Sequence, residues 1–457
     1  MKKTGKYIGN VIFLILLAGL FSCNNGGKTQ TNPAQENQIP PDPNQPYTLQ
    51  GSVSQNGITW TFDRDYPVGQ FYLGDWWVIG PVTIVSVSPG WDGQRNGSMI
   101  DPDASTDTQG YRAGLDVKYV DSLNVATRLP LTINPAQGSK GVVSLISSIG
   151  LASIESGGSH EGIRSAAILT VVSITQYSDA FRPAYARGDK TIYRASQMNT
   201  NLLPGLRAPS SISGALSQYG NAFTKVYLDH ASHGGNWGAS MHPVDNGFPY
   251  GRDFSTAVSN ASLIVLTNNS KAVEFARRLT QMGIDFYPMW LVNNKGVEGS
   301  GFGWGYKWPI LFAGIMLNND GMMHPPLYRT GTINKFPEDR WTSYGAQGKP
   351  LWGTVDPEYN ECPPDLGANA DCTGQPASYR ICCSSFTWVG QALAARRMGA
   401  VDLWNHPAYF DYVDRWVGEP NSWWYGDTPP YGAIYGFGGQ FVRDMWTTYR
   451  NSLGNPQ

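Results

Sequence analysis

Ile310-Leu311-Phe312-Ala313-Gly314-Ile315-Met316-Leu317 runs through two helical turns without a polar side chain. A helix that is apolar on every side must be enclosed by other helices, which divides a helical domain into inner and outer members. The periodicity around it supplies the others: 213–231, 256–267, 271–286, 308–317, 387–398, 407–416 and 440–449 all suit helices. In the last of these Phe441, Met445, Trp446 and Tyr449 fall on one stripe. Between the helices lie long, aromatic, glycine-rich connections at 234–252, 296–307, 325–386 and 418–439, and loops of that length in a compact domain are usually functional. An α/α toroid, a ring of helical hairpins whose loops gather at one end, accounts for enclosed helices and long loops together. An irregular helical bundle is the plainer alternative.

Upstream the pattern changes. Short β-branched and aromatic bursts at 58–62, 76–79, 82–87, 115–119, 142–146 and 166–174 are punctuated by Pro81, Pro89, Asp92-Gly93 and Asn96-Gly97. They predict antiparallel strands, most simply a β-sandwich. The fold class expected is therefore α+β multidomain, with a β-sandwich over 50–175 and the toroid-like helical domain over 176–457. Residues 178–206 show no clear period and are expected to wrap between the two parts.

The chain of 457 residues is 41% hydrophobic and only 15% charged, which gives no polybasic surface for nucleic acid. Its start, with Lys2, Lys3 and Lys6 before an apolar run from Tyr7 to Phe21, has the layout of a secretion signal and is too short to stand as a lone membrane span. Leu20-Phe21-Ser22-Cys23 resembles the cleavage box of bacterial lipoproteins, in which the cysteine is acylated; Phe21 is bulkier than is usual there. The resemblance implies an exported lipoprotein anchored through Cys23, and Asn24 rather than Asp after the cysteine implies the outer membrane. Ordinary secretion with Cys23 cut away is the alternative. Without residues 1–22 and their three lysines the chain keeps 30 basic against 35 acidic side chains, a mildly acidic balance with no attraction for phosphate backbones. Residues 23–49, poor in apolar side chains and containing Pro40-Pro41-Asp42-Pro43, read as a disordered tether.

The remaining cysteines, Cys362, Cys372, Cys382 and Cys383, are confined to one short stretch. In an oxidising compartment they predict two disulfides, with Cys382 and Cys383 each reaching back to one of the earlier pair because adjacent cysteines bond poorly. A four-thiolate zinc site is disfavoured by the missing spacer in the vicinal pair.

The densest polar stretch, 229–253, holds three of the six histidines, His230, His233 and His242. Histidine titrates near working pH, so the concentration marks a candidate active site. His242 and Tyr250 are proton-transfer candidates, Arg252 a clamp for an anion or hydroxyl, and Asn236 an orienting or neutralising group. Capping and turn chemistry around Gly234-Gly235 is the bland alternative. No His-Glu-x-x-His pattern occurs, and no metal is expected. A second stretch, 298–309, places Glu298 among glycines and aromatics, a candidate general acid unless it is merely a solvated loop carboxylate.

Trp237, Trp304, Trp341, Trp352, Trp423 and Trp424 fall in loops, as does Tyr306. Flat aromatic faces stack on the C–H faces of sugar rings, so Trp237, Trp304, Tyr306, Trp352, Trp423 and Trp424, with Asn236 and Arg252, are candidate substrate-binding residues. Simple packing of long loops is the competing account. No phosphate loop, dinucleotide fingerprint or Gly-x-Ser-x-Gly elbow occurs, and no cofactor is expected.

A lipoprotein signal, a β-sandwich and helices with an aromatic mouth together resemble the two-domain bacterial carbohydrate-active enzymes with an α/α toroid, over about residues 50–450. The resemblance is architectural. It implies a monomeric enzyme acting on a poly- or oligosaccharide at the cell surface, either hydrolase or lyase. A glycoside hydrolase, the leading expectation, would use Glu298 with Asp253 or Asp245, two carboxyls about 5 to 9.5 Å apart. A polysaccharide lyase would use His242, Tyr250, Asn236 and Arg252 for β-elimination beside a uronate carboxylate. A non-catalytic glycan-binding lipoprotein is the third possibility.

Overall fold

The computed structural model describes residues 47–452 apart from 104, 105, 107, 115–117, 152–161, 229–241, 249, 293–303, 328–335, 356–361, 374–378 and 419–435. The first part carries ten strands: β1 (Thr48–Gln55), β2 (Ile58–Gln70), β3 (Trp76–Ile79), β4 (Val82–Ser88), β5 (Ser98–Ile100), β6 (Thr108–Gln109), β7 (Lys118–Tyr119), β8 (Leu131–Ile133), β9 (Val142–Gly150) and β10 (Ile163–Val172). Eight of them form one curled mixed sheet, in the order β5-β9-β10-β3-β2-β4-β8 with β1 on β2, and β6 pairs with β7 apart from it.

The long strand β2 organises the curl. Thr59, Trp60 and Thr61 pair with both β1 and β4, and Val68 pairs with both β1 and β3. Each residue has two edges, so β3 and β4 share the edge opposite β1, along different halves of β2. All pairs in this sheet are antiparallel except β3 with β10, where Leu169 lies opposite Trp76 and Val172 opposite Ile79. A parallel neighbour needs a long crossover, and here the chain runs from Ile79 through six further strands before β10 begins at Ile163, β4, β5, β8 and β9 among them returning to the same sheet.

The expected sandwich is corrected by what covers β9 and β10, which are buried almost throughout. Side chains alternate along a strand. One face, with Val143, Leu145, Ala167, Leu169 and Val171, packs into the curl against Trp60, Phe62 and Ile84. The other, with Ile146, Ala166 and Ile168, meets Tyr185, Val226, Leu228 and Met289. The layer assigned to a second sheet is thus made of the connecting segment and a helix.

The second part holds α1 (Ile212–Tyr219), α2 (Gly251–Val265), α3 (Ala272–Leu291), α4 (Lys307–Leu317), α5 (Asp320–Met323), α6 (Pro337–Arg340), α7 (Ser385–Arg397), α8 (Val401–Trp404), α9 (Pro407–Gly418) and α10 (Gln440–Tyr449), with a hairpin of β11 (Thr342–Tyr344) and β12 (Pro350–Trp352). The expected apolar helix α4 is enclosed, nine of its eleven residues being buried. The expected helix at 213–231 ends far earlier, at Tyr219. α2 and α7 run parallel, since Ser255 Oγ meets Thr387 Oγ1 at 2.9 Å and Gly390 lies against Ser259 a turn further along both. Any side chain at 390 would sit 2.5 Å from Ser259 Oγ, which is why glycine stands there.

Sheet and helices belong to one compact unit. Arg182, in the segment between them, is fully enclosed; its Nε donates to Asp75 before β3 at 2.9 Å and its two terminal nitrogens donate to Asp285 of α3 at 2.9 and 2.5 Å. Nearby, the buried Lys190 ammonium donates to Asp101 at 2.6 Å and to Ser144 Oγ of β9 at 3.0 Å. Ions stripped of water require such partners; Arg182 ties the sheet part to α3, and Lys190 ties β9 to the connecting segment.

Candidate functional site

One end of the helical part gathers the starts of α2, α4 and α7 and the end of α3. Phe254, in the first turn of α2, packs on Phe286 of α3 at 5.9 Å between ring centroids and on Tyr306, just before α4, at 5.4 Å. Ser255 of α2 reaches Thr387 of α7. The positive ends of three helix dipoles therefore point the same way, an arrangement that favours an anion there.

His242 enters this cluster. Its ring packs against Phe254 at 4.7 Å and Tyr227 at 4.9 Å, and its Nε2 is hydrogen-bonded to Tyr306 Oη at 3.1 Å. Burial alone drives the imidazole down to about 3, so it is neutral at working pH. Its Nδ1 is buried and has no hydrogen-bond partner among the described residues.

Tyr250 precedes the first turn of α2, where its carbonyl accepts from the amide of Phe254 at 2.9 Å. Its phenol is pushed up to about 12, mainly by burial, with Tyr379 adding to the rise and Arg252 opposing it. The Arg252 guanidinium lies 5.4 Å from the Tyr250 ring centroid and donates through Nε to Asp253 at 2.8 Å. Two sequence candidates, His242 and Tyr306, are thus in direct contact, and Tyr250, Arg252 and Asp253 lie together on the adjoining turn.

The hydrolase set is not assembled among the described residues. Asp253 is joined to Arg252, whereas Asp245, in the short turn Val244–Asn246, is exposed and pairs at 3.6 Å with Arg164 of β10. Glu298, Asn236, Trp237, Trp423 and Trp424 lie outside the described residues, as does Cys23.

The tryptophan platforms at 304 and 352 need correcting. Trp304 is fully enclosed between Trp341 and Trp388, with centroids 6.1 and 5.2 Å away. Trp352 is enclosed as well, tilted on Trp341 at 4.6 Å, and its Nε1 donates to Ser384 Oγ at 3.1 Å. These indoles bury their large apolar area against one another, leaving no face for a sugar.

Cys362 stands beside Cys372, their Cα atoms 5.4 Å apart, and Cys382 beside its sequence neighbour Cys383. The first pair flanks β12, where Cys372 N donates to Trp352 O and Thr354 N to Cys362 O. The second sits in one π-helical turn, Arg380–Ser384, leading into α7.

Sequence reasoning missed the charged layer beneath the cluster. Glu338 of α6 is fully enclosed; its Oε1 accepts from Gly305 N at 2.6 Å, and its Oε2 has no partner among the described residues. Burial pushes its carboxyl up to about 7. Gly305, at φ +94°, makes the left-handed turn that delivers Tyr306 to His242. Beside it Lys307 donates to Asp339 and to Trp404 O, and Trp404 Nε1 donates to Asp339 Oδ1 at 2.8 Å. A lysine set between Tyr306 and Trp308, and Glu338-Asp339-Arg340 ahead of Trp341, were the available signals.

Among the described residues no group of three or more His, Cys, Asp or Glu side chains could hold a metal ion, and no helix is long and apolar enough to cross a membrane. No family model, no curated protein and no solved structure matches this chain.

Proposed function

We propose that the chain is a carbohydrate-active enzyme that cleaves a uronate-containing glycan by β-elimination at the loop end of its helical part. The observation that carries this reading is the grouping of Tyr250, Arg252 and His242 around the first turn of α2, while Asp245 and Asp253 are engaged with different arginines. In such a reaction a base removes the proton beside the uronate carboxyl, the C–H electrons become the new double bond, and the glycosidic oxygen leaves with a proton. Arg252 and the three helix starts would offset the charge that grows on the carboxyl group. Tyr250 is the proton-transfer group: the nearby guanidinium favours the phenolate that takes the C–H proton, and the phenol thus formed, held near 12, passes that proton to the leaving oxygen. Neutral His242, itself enclosed, orients Tyr306. The parallel course of α2 and α7 is what supports a toroid-like arrangement, and acylation at Cys23 would tether the enzyme to a bacterial outer membrane.

A hydrolase reading keeps one observation in its favour: burial raises the Glu338 carboxyl to about 7, the range a general acid needs. Its full enclosure counts against contact with a substrate.

Incubation with polygalacturonate, alginate and chondroitin sulfate separates the readings. A lyase releases products with the ultraviolet absorbance of a conjugated uronate, and Tyr250→Phe should lower that rate by roughly 100-fold or more. New reducing ends without that absorbance would select the hydrolase. Retention of a polymer without turnover would leave a glycan-binding protein and overturn the enzymatic reading.

A further inference from the structure

A cavity of about 120 Å³ lies on the far side of α3 from the His242 cluster. Phe286 faces that cluster, whereas Ile284, Pro288 and Leu291, which line the cavity, lie some 140–200° around the helix from it at about 100° per residue. Roughly 10–15 Å³ of such space accommodates one water, so the cavity takes on the order of ten non-hydrogen atoms, the size of one sugar ring rather than a chain.

Its floor is aliphatic, built from Ala184, Ile284 and Met322, with Pro288 and Leu291 nearer the surface. Its rim is polar and held in place. Tyr193 Oη accepts from Asn319 Nδ2 at 2.9 Å, and Asp189 accepts from Thr191 Oγ1 at 2.8 Å and pairs with Lys140 at 2.7 Å. Tyr287 adds a second phenol to the lining. Pro288, inside α3, has no amide hydrogen to give the carbonyl of Ile284, so that acceptor lacks its usual helical donor on the face that lines the cavity.

An apolar floor with a fixed rim of hydroxyl, amide and carboxylate groups matches a pyranose, which has C–H faces and equatorial hydroxyls. Charge at the rim is mixed: Asp189 is paired with Lys140, and Arg187 joins the lining.

We propose that this cavity is a second carbohydrate-binding site, for a single pyranose residue, separated by the thickness of α3 from the reaction end and independent of the chemistry performed there. Such a site would hold a glycan by one residue without cutting it.

Saturation-transfer NMR and calorimetry with the methyl glycosides of glucose, galactose, mannose and N-acetylglucosamine test it on the full chain. At least one should bind wild type with a millimolar Kd, bind Tyr250→Phe equally, and bind Tyr287→Ala at least about tenfold more weakly. Leu291→Trp changes a residue already 37% exposed and fills the cavity instead of emptying it; it should abolish binding while the thermal midpoint stays within a few degrees. No binding by any of the four probes, or equal binding by Leu291→Trp and wild type, would overturn the assignment.

Discussion

Replacing Glu338 by glutamine should uncover a pH dependence of stability that the native protein hides. Glu338 is raised from 4.5 to about 7 by burial, so between those values the folded state binds more protons than the unfolded chain. Its contribution is fully present below 4.5 and is lost as pH rises through 7. His242 is lowered from 6.5 to about 3, again by burial, so the folded state binds fewer protons. Its contribution is present above 6.5 and is lost as pH falls towards 3. Between 4.5 and 6.5 the two slopes oppose one another, each roughly 1.4 kcal/mol per pH interval. From about pH 5 to about pH 6.5 His242 therefore adds roughly 2 kcal/mol and Glu338 removes about as much. Glutamine keeps an oxygen for Gly305 N but cannot titrate, so the stability of Glu338→Gln, relative to wild type, should climb by roughly 2 kcal/mol over that span. Urea denaturation followed by tryptophan fluorescence at about pH 5, 5.75 and 6.5 measures it, and other titrating groups cancel in the difference. A difference between variant and wild type that stays constant within about 0.5 kcal/mol would mean that Glu338 is not held neutral by burial, and His242→Gln should give the opposite slope.

Arg182→Met leaves Asp75 and Asp285 enclosed without their cation and should cost about 3–5 kcal/mol in chemical denaturation. Adding Asp285→Leu should recover part of that loss, because one stranded charge is removed with it. Trp352→Ala should destabilise by about 3–5 kcal/mol while the affinity of any bound glycan is unchanged, which separates a packed indole from a stacking platform. If Cys23 is the acylated residue, Cys23→Ala should abolish incorporation of labelled palmitate and move the protein from the membrane to the soluble fraction.

The strands were legible because their cause is local: alternating β-branched and aromatic residues between turns placed β2, β3, β4, β9 and β10, and an apolar run placed α4. What covers a strand is not local. Val143 and Ile146 read alike along β9, yet one meets the curled sheet and the other a layer that includes Met289 of α3, a helix from the other part of the chain. The tryptophans misled for a related reason. Lying outside a helix says nothing about which way a ring faces, and Trp304, Trp341 and Trp352 found one another. The buried ions are the hardest case, since Arg182 and Asp285 are 103 residues apart and Lys307 and Asp339 are 32 apart. Chemistry still leaves a trace of them. A lysine between two aromatic residues at the start of an enclosed helix cannot keep its hydration, so Tyr306-Lys307-Trp308 demands a buried acid somewhere in the chain. The run of charge at Glu338-Asp339-Arg340, squeezed between Phe336 and Trp341, is where that demand is met. The same layer sets the geometry above it: Lys307 is fixed by Asp339, Gly305 by Glu338, and Tyr306 between them is thereby held at hydrogen-bonding distance from His242.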